Sequence, residues 1–117
     1  MKPADEIAPL TPAVFHILLA LAQGEKHGYE VMKQVRQDTN GKVKMGNGTL
    51  YGSIKRMLHD QLIAEAGDRS DPELDDERRR YYRLTEAGRR ALRAEMRRYV
   101  ETVALLRRRD LLGERLQ

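Results

Sequence analysis

Gly48-Thr49-Leu50-Tyr51-Gly52-Ser53-Ile54-Lys55-Arg56-Met57-Leu58, followed by Arg80-Tyr81-Tyr82-Arg83-Leu84-Thr85-Glu86-Ala87-Gly88, is the stretch that decides how this chain folds. On a helical wheel at about 100° per residue, Leu50, Ile54, Met57, Leu58 and Gln61 fall in one arc. Gly52, Lys55, Arg56 and His59 lie opposite, with Tyr51 and Ser53 on the flanks. One side must therefore pack on a core while a basic, small-residue side stays open. The second piece runs as a strand into Thr85, whose hydroxyl suits a helix N-cap, and Glu86 suits the positive end of the helix dipole.

Upstream, Thr11-Pro12 is a strong helix start, with proline where a missing N–H costs nothing. Val14, Phe15, Ile17, Leu18, Leu19 and Leu21 make the helix to Ala22 more apolar than one buried face requires, so it should be covered on two sides. Gly24 ends it. A second helix is expected from His27-Gly28 to about Thr39, on a stripe of Val31, Met32 and Val35, and Asn40-Gly41 is a turn. Val43 and Met45 alternate as a small strand would. The third helix runs from about Thr49 to Gln61, and Leu62–Ala66 and Arg79–Leu84 read as an antiparallel ribbon. The loop between them, Gly67 to Glu77, holds six acids; a last helix from Thr85 extends to about Leu112. The expected fold is mainly α with a small β-ribbon. Its domain, 10–85, is a winged helix-turn-helix with a long C-terminal helix, 86–112, between tails 1–9 and 113–117.

The 117 residues suffice for one modest core. The 22 basic residues against 18 acidic give +4, which permits a polyanionic partner without establishing one. No cysteine is present, so disulfides and thiolate metal sites are excluded. His16, His27 and His59 are too scattered to suggest zinc, and Gly46-Asn47-Gly48 lacks the ending of a phosphate loop. No metal, cofactor or enzymatic activity is expected. Residues 1–9 do not read as a signal peptide and no stretch reads as a membrane span, which points to a cytoplasmic chain, on the nucleoid when bound to DNA.

The open arc of the third helix suits a DNA major groove, where arginine pairs with guanine and serine or threonine meets base or phosphate. Arg78-Arg79-Arg80 stands at the wing base, where phosphate contacts would flank that helix. A solvated amphipathic helix, and arginines neutralised by Asp75, Asp76 and Glu77, are the plainer alternatives. On the last helix, Leu92, Met96, Tyr99, Val103 and Leu106 repeat at heptad spacing, the geometry of pairing between chains. A homodimer accounts for this seam and for the over-apolar first helix.

Four pieces together resemble the PadR family of bacterial transcriptional regulators. They are Leu10-Thr11, His27-Gly28-Tyr29-Glu30, Gly48-Thr49-Leu50-Tyr51, and Arg80-x-Tyr82-x-Leu84-Thr85-x-x-Gly88. The likeness covers about residues 10–106 and, with so short a C-terminus, points to the smaller PadR subgroup. Gly52 departs from it, standing where the family often has proline.

The resemblance implies that the long last helix pairs with its mate and with the first helix, and that the third helix enters the major groove. Carried over, Thr49, Tyr51, Ser53 and Arg56 contact DNA, and Lys55, Arg78, Arg79 and Arg80 meet phosphate. Dimerisation falls to Phe15, Leu19, Leu92, Met96, Tyr99, Val103 and Leu106. Phe15, Met96 and Tyr99 are candidates to hold a small hydrophobic or aromatic effector. The expected function is a homodimeric repressor on a palindromic operator in double-stranded DNA. The alternative, motivated by the acidic loop, is a winged-helix module that binds protein and not DNA.

Overall fold

The computed structural model describes residues 8–70 and 78–113, with backbone alone at 69, 70 and 78. The tail 1–7, the acidic stretch 71–77 and residues 114–117 lie outside the described residues. The elements are α1 (Pro12–Ala22), β1 (Lys26–His27), α2 (Gly28–Asp38), α3 (Asn47–His59), β2 (Ile63–Ser70), β3 (Arg78–Leu84) and α4 (Glu86–Arg108). The strands form an antiparallel sheet in the order β1-β3-β2. The fold is the mainly helical winged helix expected from the sequence, with one more strand.

Three of the four helices, α1, α2 and α4, start on a side-chain cap. Thr11 Oγ1 accepts from Val14 N at 3.2 Å, with Pro12 in the first turn of α1. His27 caps α2 through a reciprocal pair: its Nδ1 accepts from Glu30 N at 3.2 Å, and Glu30 Oε1 accepts from His27 N at 3.1 Å. His27 also pairs with Tyr81 in β1, so one buried residue belongs to the sheet and caps the helix. Thr85 Oγ1 accepts from Gly88 N at 3.0 Å to cap α4, and donates to Gln61 O at 2.6 Å. Thr85 N donates to Leu62 O at 3.1 Å. The start of α4 is thereby tied to the chain leaving α3.

Ile17, Leu18, Val31, Val35, Leu50 and Met57 are among the side chains that close the core. Gly88 sits where α4 crosses Leu62, and a Cβ there would overlap the Leu62 carbonyl oxygen. This close approach explains why the first turn of α4 needs a residue without a side chain.

Several expectations need correction. Lys42 to Met45, too short to classify from its sequence, forms no strand; Met45 drops into the core while Lys42 and Lys44 stay exposed. The ribbon does not stop at Ala66: β2 continues to Ser70, shifting register between Glu65 and Asp68, with Gly67 at φ +94°. Gln61 lies past the end of α3 at φ +61° and is exposed, off the apolar arc. Helix α4 ends at Arg108, short of Leu112, as Asp110 turns to φ +55°.

Leu92 is covered within its own chain. Its heptad spacing put it on a pairing seam, but it is 5% exposed and belongs to the chain's own core. The first turns of α4 lie against the domain, so a residue there is covered without a mate.

Candidate nucleic-acid interface

Helix α3 separates its two faces as its sequence implies. Leu50, Ile54 and Met57 are buried. Thr49, Tyr51, Lys55 and Arg56 are exposed on the other side, with Ser53 half-buried beside them. A Cβ on Gly52 would meet nothing within 4 Å, so bare helix backbone is open there. The helix begins at Gly46 without a side-chain cap, leaving its first N–H groups free of a competing side chain.

The wing stands next to this face. Tyr51 of α3 shares a cleft of about 350 Å³ with Asp68, Arg80 and Tyr82 of the ribbon. Arg80 is exposed yet held: its Nη1 donates to Glu65 Oε1 at 3.3 Å, and its Nε lies 3.7 Å from Asp68 Oδ1. The carboxylates beside it thus come from the opposite strand of the wing. Those suggested by the sequence, Asp75, Asp76 and Glu77, lie outside the described residues. Arg79 is half-buried, and Arg78 opens β3 opposite Ser70. Burial, then the nearby Tyr51, Glu65 and Asp68, push the Tyr82 hydroxyl above its usual 10.0, against the opposing pull of Arg80.

The second surface is the far half of α4. Met96, Tyr99, Val100 and Val103 are exposed, Val100 the most at 69%. Phe15 of α1 is nearly buried and meets the Tyr99 ring edge-on, centroids 5.0 Å apart. Leu19 and Leu106 are half-buried. An apolar groove of about 500 Å³ runs along Tyr99, Val100, Val103 and Ala104 to Arg107 and Arg108. The seven residues assigned to dimerisation are therefore split between the chain's own core and this open face.

Sequence reasoning missed Val100, Glu95 and Gly28. Val100 lies off the heptad positions, so its spacing hid it. Glu95 looks like one more surface charge but is buried on α4, accepting from Leu10 N at 3.1 Å and from Arg98 Nη1 at 2.7 Å. Gly28 reads as a helix-start glycine; only the structure shows what lies over it. Among the described residues no group of His, Cys, Asp and Glu could hold a metal ion, and no helix is long and apolar enough to cross a membrane.

This geometry has close relatives. A PadR family transcription regulator from hypervirulent Clostridium difficile R20291 superposes with a TM-score of 0.69 at 26% identity, covering 84% of this chain and 97% of that one. A PadR-like transcriptional regulator from Bacillus cereus gives a TM-score of 0.65 at 26% identity, over 86% and 92% of the two chains. Bacillus subtilis PadR, solved in complex with operator DNA, gives 0.61 at 19% identity, over 73% of this chain and 46% of that one; at that distance the likeness concerns the fold. Residues 17–94, which run from the core of α1 through the wing into α4, match the family itself. The chain belongs to the PadR-like family of transcriptional regulators, and so is a regulator rather than an enzyme.

Proposed function

We propose that this protein is a homodimeric, sequence-specific DNA-binding repressor acting on a palindromic operator. The observation that carries the DNA contact is the division of α3, with Leu50, Ile54 and Met57 buried and Thr49, Tyr51, Lys55 and Arg56 open next to the wing. In this reading α3 lies in the major groove, where Thr49, Tyr51, Ser53 and Arg56 reach bases or phosphates and Lys55 meets the backbone. Arg78, Arg79 and Arg80 line the flanking phosphates, Arg80 exchanging Glu65 and Asp68 for a phosphate oxygen as it does so.

The exposed apolar stretch of α4 supports pairing with a second copy, which would supply the second half-site reader. An effector of hydrophobic or aromatic character would act at that junction, near Phe15, Met96 and Tyr99. The operator complex of Bacillus subtilis PadR places a protein of this fold on DNA and supports the same use here. The protein-binding alternative drew on the acidic loop, whose residues 71–77 lie outside those described.

The test uses a duplex selected by the full-length chain from genomic fragments. Arg56→Ala should weaken binding and relax the preference for the selected sequence. An unchanged affinity across several salt concentrations would remove Arg56 from the groove.

A further inference from the structure

Gly28 is the first residue of α2 and is buried. Its φ is outside the left-handed region, so no backbone demand selects glycine there. Within a helix, alanine would be the better residue. What selects glycine is space. An added Cβ would lie 2.6 Å from Oη, 2.9 Å from Cζ and 3.0 Å from Cε1 of Tyr51. The Tyr51 phenol, carried by α3, rests directly on the bare backbone at the start of α2.

That start is rigid. His27, next to Gly28, is buried, pairs with β3 and closes the reciprocal cap with Glu30. Its ring also packs edge-on against Tyr81 at 5.3 Å. Tyr51 is 48% exposed, and on its other side the cleft opens to Asp68, Arg80 and Tyr82 of the wing. If a side chain appears at residue 28, the anchored backbone cannot yield, and the phenol end of Tyr51 must.

We infer that Gly28 is a positioning residue for the DNA-reading surface: it is the seat that holds the Tyr51 ring between α2, α3 and the wing. The inference rests on the proposal that α3 reads DNA, and it adds a residue of α2 that touches no base. Gly28 acts through Tyr51 alone, so its contribution vanishes once the ring is gone.

The experiment compares wild type, Gly28→Ala, Tyr51→Ala and the double variant, all full length, on a duplex selected from a random library and on an unselected duplex. Gly28→Ala should lose about tenfold in affinity for the selected duplex, the scale of one displaced specific contact, and much less for the unselected one. In the Tyr51→Ala background the same change should cost nothing further, since directly coupled residues do not add. Ring correlations of the five tyrosines, with Tyr51 assigned from Tyr51→Phe, should show the Tyr51 signals displaced in Gly28→Ala. Should Gly28→Ala fail to fold, the double variant should fold, because removing the ring makes room for the methyl group.

Unmoved Tyr51 resonances, wild-type affinity in Gly28→Ala, or an equal loss in both backgrounds would each overturn the inference. A wild-type chain that selects no duplex would instead overturn the DNA proposal, and with it the positioning role. The ring shift would still report separately whether Tyr51 sits on Gly28.

Discussion

Arg56 and Met57 are neighbours in sequence and opposites in structure, one exposed and the other buried in the core. That contrast makes Arg56→Ala a clean probe: it should cost about 1–3 kcal/mol of operator binding and leave the unfolding midpoint unchanged, as titration on a selected duplex and thermal melting would show. Gly88→Ala should do the reverse. Its methyl group meets the Leu62 backbone, which cannot rotate away, so about 1–3 kcal/mol of stability should be lost in urea unfolding. Tyr82 gives a pH prediction. Its folded pKa is raised, so its neutral form stabilises the fold fully below the unfolded value of 10.0, and that contribution is lost as pH rises through the folded value. Tyr82→Phe should therefore soften alkaline destabilisation above about pH 10, followed by circular dichroism. The faces of α3 were legible in sequence because a helical period sorts them. The roles of Gly28 and Glu95 were not, because each depends on a residue more than twenty positions away.

At the scale of elements, the caps at Thr11 and Thr85 were readable because capping is local chemistry. Strand β1 was not: two residues have no period, and Lys26–His27 became a strand only because β3 had an edge to pair. The length of the ribbon was hidden for another reason. Beyond Gly67 the paired residues, such as Asp68 opposite Arg80, are all polar, so no apolar alternation marks them. In α4 a heptad spacing records which residues share a stripe, but not whether its cover comes from the same chain. Leu92 found its cover at home; Tyr99 and Val103 remain open. If the open half pairs with a second copy, Val103→Glu should convert the dimer to a folded monomer in sedimentation, with normal helicity. Affinity for a two-half-site duplex should fall far more than for a single half-site.

For the whole molecule, the charge is unevenly placed. Residues 1–85 carry 13 basic and 13 acidic side chains; α4 alone carries seven arginines against three glutamates, which accounts for the net +4. If α3 and the wing meet DNA as proposed, the attraction would come from where Lys55, Arg56 and the wing arginines stand, not from the overall charge of a balanced domain. A dimer using about six phosphate contacts should lose about a thousandfold in affinity between roughly 50 and 200 mM salt. Lys55→Gln should flatten that dependence, measured as the slope of log affinity against log salt. The tie through Thr85 has a mechanical consequence. Its hydroxyl and amide both grip the chain leaving α3, so if α3 reads DNA as proposed, α4 would carry it as one lever. In a dimer hinged along α4, any rocking of one long helix against the other would change the span between the two reading helices, so the pitch of the operator would be set far from the DNA, by how the levers cross.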